Sequence, residues 1–192
     1  MTAVLVTVLV ALIAIAGILM AWWEQDWRAM GGLARTRVVT YWLCTGVVSF
    51  ELAAGGLWDL LRIEYVRAML AHLGYPSYLL LILGVWRIPG ALALLSPRFA
   101  RVKEWAYAGT FFDFTGAAAS HLLAGDRAGS WAAPLLLSVI TLVSSALRPP
   151  SREVLKPTFN EQPRLGVWLL PIFMVGVMLV VALLTLPRGK AL

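Results

Sequence analysis

Six apolar runs, near residues 2–23, 38–60, 77–97, 103–124, 131–148 and 165–187, constrain this 192-residue chain more than any other feature. Each is close to the roughly 20 residues that carry an α-helix across a hydrocarbon core. A helix also satisfies its own backbone hydrogen bonds where no water can. The expected fold is therefore all-α, a polytopic bundle of six transmembrane helices. Composition agrees, with 60% of residues hydrophobic and 14% charged, against about 25% charged in a soluble domain.

The net charge of +6 does not point to nucleic acid. The Lys and Arg residues lie between the apolar runs, and no basic recognition motif is present. They are better read as loop charges that orient the chain in a bilayer. Loops one, three and five hold Arg28, Arg35, Arg37, Arg98, Arg101, Lys103, Arg148, Arg152, Lys156 and Arg164. The opposite side holds Arg62, Arg67, Arg127, Arg188 and Lys190. This two-to-one bias places the first set in the cytoplasm and both termini outside a multi-pass cell-membrane protein.

The first run contains Ala14-Ile15-Ala16, which looks like a signal-peptidase site. Its apolar stretch is long and lacks a basic leader, so it is read as a membrane anchor. Trp22, Trp23 and Trp27 follow it as an interfacial belt. Cys44, the single cysteine, allows no intrachain disulfide or dithiol centre and reads as a small hydrophobe. Residues 61–76 place Leu61, Tyr65, Met69 and Leu73 on one face, with Arg62, Glu64 and Arg67 between them. This pattern predicts a short amphipathic interfacial helix, stopped by Gly74 and Pro76. The four prolines of 148–164 predict an extended linker.

Glu51, Arg87 and Asp113 interrupt the apolar runs. A charge near the bilayer centre costs at least ~2.5–3.5 kcal/mol on insertion scales, so such residues face partners or a polar cavity. At ~1.5 Å of rise per residue, Glu51 lies ~21 Å from Arg37, Arg87 ~16 Å from Arg98, and Asp113 ~15 Å from Lys103. Three similar depths suggest an Arg87–Asp113 pair with Glu51 close by. Gly109, Asp113, Gly116, Ala117 and Ser120 share a stripe suited to close helix packing. Val48, Glu51, Gly55 and Asp59 share another face.

An Arg–carboxylate pair alone could serve only helix register. Glu51 then leaves one negative charge to be met by a proton or a cationic ligand. His72 and His121 could face an outer vestibule with Asp59, Glu64 and Asp126, where a proton relay or a metal is conceivable. The ordinary reading is an interfacial histidine bonded to a carbonyl, and no metal or paired haem ligation is expected. Trp58, Trp86, Trp105, Tyr107, Phe111, Phe112 and Phe114 surround these depths. Some could line a slot for a flat apolar ring such as a quinone. No P-loop, GxSxG, HExxH or dinucleotide fingerprint is present, and no residue is assignable as catalytic.

Glu51-Leu52-Ala53-Ala54-Gly55-Gly56 with Asp59-Leu60, then Leu73-Gly74-Tyr75-Pro76, resemble the DoxX-like family of small bacterial membrane proteins. So does Lys103-Glu104-Trp105-Ala106-Tyr107-Ala108-Gly109, running on through Gly116-Ala117 to Ser120-His121. The resemblance covers about 38–148 and implies a four-helix unit. Residues 1–37 would then be an added anchor and cytoplasmic loop, 149–164 a cytoplasmic linker, and 165–192 a last transmembrane helix.

The family takes its name from a subunit linked to thiosulfate:quinone oxidoreduction. Other relatives are associated with oxidative-stress complexes or membrane-protein assembly. The resemblance implies a quinone pocket near Glu51, Arg87, Asp113 and His121, served by a membrane or peripheral oxidoreductase partner. The combined expectation is a bilayer protein holding a small lipophilic ligand, a quinone or an amine, at Glu51, Asp59, Arg87, Asp113, Ser120 and His121. The alternatives are a quinone-linked subunit in sulfur or thiol oxidation, or an assembly factor.

Overall fold

A computed structural model describes residues 31–96, 100–148 and 166–187. The first apolar run, the Pro-rich linker beyond residue 148 and the last five residues lie outside the described residues. Apolar, helix-forming stretches bounded by Gly and Pro become six helices, with no strand among the described residues. They are α1 (Gly32–Leu61), α2 (Glu64–His72), α3 (Leu79–Leu95), α4 (Ala100–Leu123), α5 (Ala128–Ala146) and α6 (Gly166–Leu184). Of these, α1 and α5 are long and apolar enough to cross a membrane, while α3 and Trp168–Leu184 of α6 are apolar but shorter. The bundle leaves large apolar side chains facing outward, among them Leu81, Ile82 and Val85 of α3, Leu136 and Leu142 of α5, and Phe173 of α6. A soluble monomer rarely shows so much contiguous apolar surface; lipid covers it at no cost.

Helix α1 is the central post, packed most extensively on α3 and also on α5 and α6. The α1–α3 seam is close because glycines face each other. A Cβ on Gly84 would stand 2.6 Å from the Leu60 side chain and 2.8 Å from the Gly56 carbonyl. One on Gly56 would meet Arg87 and Ile88 at 3.0 Å. This is the small-residue contact that lets transmembrane backbones approach. The expected packing stripe on α4 does not do this: a Cβ on Gly109 or Gly116 would meet nothing within 4 Å, and both residues are exposed. Periodicity put those residues on one face but could not say what the face meets.

The core joins Tyr41, Trp42, Val48, Leu52 and Ala53 of α1 to Ala91, Leu94 and Leu95 of α3. Tyr107 and Phe114 of α4 and Met174, Val175, Met178 and Ala182 of α6 complete it. The Trp58 indole donates to the Ala182 carbonyl at 3.1 Å, tying α6 to the post. Near one end of the bundle, Thr45, Ser144 and Tyr107 share hydrogen bonds of 2.7 and 2.9 Å. Arg37 donates to the carbonyls of Leu147 and Arg148 at 3.4 and 3.2 Å. Arg148 in turn pairs with Glu104, and the buried Lys103 donates to the Ser96 carbonyl. Polar groups thus knot the ends of α1, α3, α4 and α5 together. Arg35, Arg37, Arg101 and Lys103, expected in loops, stand on α1 and α4.

At the opposite end, α1 stops at Arg62, whose φ of 49° is left-handed. Its N–H bonds back to the Asp59 carbonyl at 3.1 Å, and that of Ile63 to Trp58 at 3.3 Å. The predicted amphipathic helix forms as α2, and Gly74 (φ 78°) follows it. Its register differs from the expected one. Val66 and Leu70 are buried against Leu80, Leu61 is exposed, and Tyr65 and Met69 are half-buried on a cavity.

Candidate functional site

One arginine organises the interior. Arg87, midway along α3, passes its guanidinium over Gly55 of α1, where a Cβ would lie 3.1 Å from Nη1. Nε and Nη2 donate to Oδ2 and Oδ1 of Asp113 on α4 at 2.8 and 3.0 Å, a fork-on-fork pair. Nη1 donates to Oδ2 of Asp59 on α1 at 2.8 Å. Side-chain exposure is 20% for Arg87, 17% for Asp113 and 4% for Asp59. The planar fork suits Arg to this role as Lys would not be suited. Removing one partner from such a buried set costs about 3–5 kcal/mol, because a charge is left uncompensated.

The expected Arg87–Asp113 pair is present, and Asp59 joins it. Asp59 lines the vestibule with His72, His121 and Asp126, as the sequence suggested; its added pairing with Arg87 was not expected, because the arginine reaches across from α3. Glu51 makes no hydrogen bond or ion pair among the described residues, although it lines the same cavity as Arg87 and Asp59. The charge count is therefore revised. Three carboxylates (Glu51, Asp59, Asp113) face one guanidinium, an excess of two negative charges when all are ionised, where the sequence suggested one.

Two cavities flank Arg87, and it is the one lining residue they share. The first, about 550 Å³, is an apolar slot between α3 and α4. Leu83, Trp86 and Pro89 form one wall, Val102, Trp105, Gly109 and Phe112 the other, and Arg87 and Asp113 the polar floor. Trp86, Trp105 and Phe112 remain largely exposed at its mouth. Pro89 lacks the N–H that would bond the Val85 carbonyl, so the α3 ladder is interrupted along this wall. Of the aromatic residues flagged in the sequence, these three line the slot. Tyr107 is instead buried in the Ser144 network with Arg148 over its ring, and Phe111 packs edge-on to Phe112.

The second cavity, about 410 Å³, is a polar vestibule enclosed by α1, α2, α4 and α5. Glu51, Trp58 and Asp59 line it from α1, Tyr65, Met69 and His72 from α2, and Phe114 and His121 from α4. A clasp stands at its rim: Asp126 bonds His72 Nε2 through Oδ1 and His121 Nδ1 through Oδ2, each at 2.7 Å. The hydrogen bond from His121, and then that from His72, hold the Asp126 carboxyl below its ordinary range. The two histidines and Asp126 do meet, as the vestibule reading proposed. Glu64 does not join them; it pairs with Arg67 at 3.6 Å on the exposed face of α2. Ser120 bonds Tyr75 at 2.8 Å and back-bonds to the Gly116 carbonyl, so it fastens the loop after α2 to α4. No group of three His, Cys, Asp or Glu with metal-binding geometry occurs among the described residues.

A helical bundle with outward apolar faces and an ionic centre between its helices defines a membrane protein. Residues 43–144, more than half of the chain, match the sequence profile of the DoxX-like family, and the protein belongs to that family. Searches of curated proteins and of solved structures give no match. The matched span runs from within α1 to within α5, so α6 packs on the family unit from outside it.

Proposed function

We propose that this protein is a six-span, multi-pass membrane protein with both termini outside, and that it holds a small lipophilic ligand in the slot between α3 and α4. In this reading residues 38–148 form the binding unit, with 1–37, 149–164 and 165–192 as anchor, linker and closing helix. The observation that carries it is the slot itself: apolar aromatic walls ending on the Arg87–Asp113 pair. Ligand sites combine that volume and lining with a few well-placed polar groups. A guanidinium offers five N–H donors, of which Arg87 commits three to Asp59 and Asp113. The other two can donate to a carbonyl or hydroxyl oxygen at the head of the ligand. A flat ring bearing carbonyls, as in a quinone, matches both the walls and the donors.

Gly109 provides the test. A Cβ added there meets no protein atom within 4 Å, and the position lines the slot. Gly109→Leu should therefore fill the slot while the bundle stays folded. The full chain in lipid nanodiscs is titrated with a decyl-substituted benzoquinone, and tryptophan fluorescence is followed. Saturable quenching is expected in the parent protein, weakened at least tenfold in Gly109→Leu. Equal quenching of both proteins would refute slot binding.

A further inference from the structure

We infer that the vestibule on the other side of Arg87 is a second site, taking an organic ammonium ion that carries at least one N–H. The central observation is Glu51. It sits two-thirds of the way along α1, half-buried and lining the cavity, and no hydrogen bond or ion pair reaches it among the described residues. The neighbouring carboxylates are already engaged: both oxygens of Asp113 and one of Asp59 take Arg87. Both oxygens of Asp126 take the two histidines. Arg87 is thus shared between two acids, and Glu51 is the carboxylate that a third donor would satisfy. A half-buried carboxylate with no protein donor depends on what fills the cavity for its hydrogen bonds, and the surplus negative charge selects a cation.

The walls narrow the class. Trp58 and Phe114 line the same cavity as Glu51, and the Trp58 ring is held in place by its bond to Ala182. Aromatic faces attract ammonium ions and accept the alkyl chain that follows. A metal ion fits less well, because Glu51 offers one free carboxylate and the described residues supply no three-ligand set. An N–H is needed because the unmet group is a hydrogen-bond acceptor; a fully substituted ammonium has no donor for it. The cavity of about 410 Å³ has room for a short alkylamine.

This inference does not depend on the slot ligand, since the two cavities share only Arg87. The full chain in nanodiscs at neutral pH is titrated calorimetrically with n-butylammonium, tetramethylammonium, n-butanol and sodium chloride. Butylammonium should bind saturably, at least tenfold more tightly than tetramethylammonium or butanol, and Glu51→Gln should remove that preference. Benzoquinone binding by Glu51→Gln should stay as in the parent protein, which separates loss of this site from loss of fold or slot. Equal affinity for butylammonium and butanol would overturn the inference on the parent protein alone, whatever Glu51→Gln does. So would a response to sodium that matches butylammonium, or a butylammonium preference that survives in a folded Glu51→Gln.

Discussion

The two cavities beside Arg87 differ in nearly everything but that residue. The slot is walled by apolar and aromatic side chains, opens between helices that present apolar faces outward, and has its charges paired at the floor. The vestibule is rimmed by a His–Asp–His clasp and holds the carboxylate left over from the pairing. One guanidinium divides them, with one edge turned to Asp113 and a remaining nitrogen to Asp59. The contrast shows how a single buried cation can separate two chemistries within one bundle. The side facing the double hydrogen bond is neutralised, and the side facing the extra acid is not.

Breaking the partition directly should have the largest effect. Arg87→Met leaves Asp59 and Asp113 without their donor, and a loss of about 3–5 kcal/mol is expected. Thermal unfolding in detergent reads this as a large drop in midpoint, and both cavities should lose selectivity together. Next in size is the seam that brings Arg87 over α1. Gly84→Val drives a Cβ into Leu60 and the Gly56 backbone, at a cost of about 1–3 kcal/mol for overpacking. Gly55→Ala meets only the Arg87 guanidinium, at 3.1 Å, and no backbone. It should cost less in the same melt, while still disturbing the ion pairs.

The vestibule rim can be probed without touching the slot. Because its partners hold the Asp126 carboxyl below the ordinary range, the clasp adds stability that is present above the unfolded carboxyl pKa, about 3.9. That stability is lost as pH falls below it. Hydrogen exchange in Glu64–His72 should therefore accelerate relative to α1 between pH 5 and pH 3, and not between pH 7 and pH 5. Asp126→Asn should show fast exchange at every pH; slow exchange in that variant would remove the clasp from the account. The smallest effect is expected far from the partition. Arg62 pays for a left-handed φ of 49°, so Arg62→Gly should raise stability by about 0.5–1 kcal/mol with both cavities unchanged.

Much of the architecture was legible because hydrophobic runs and helix length are local properties. The helices α1, α3, α4, α5 and α6 fall within a few residues of the predicted apolar runs, and α2 forms where the amphipathic pattern put it. The Arg87–Asp113 pair was legible from depth alone, because helix rise converts sequence separation into height. Asp59 was not, because a long side chain reaches across levels that residue counting keeps apart. Nor was the true small-residue seam. Gly109 and Gly116 have helical spacing but open surroundings, whereas Gly56 and Gly84 meet across two helices, and only the neighbouring backbone distinguishes a packing glycine from an open one.

By itself, then, the sequence determined an all-helical membrane protein of the DoxX-like family, with costly charges at matched heights inside it. Those are consequences of composition, periodicity and motif, which each segment carries wherever it is placed. The tertiary structure decided how the charges are shared. It turned three carboxylates and one arginine into two satisfied acids and one left without a donor, and it set an apolar slot on one side and a polar vestibule on the other. Only the placement of α1 against α3 and α4 could do so, because hydrogen bonds of 2.8–3.0 Å form between particular atoms. Spacing along a chain does not specify which helices meet.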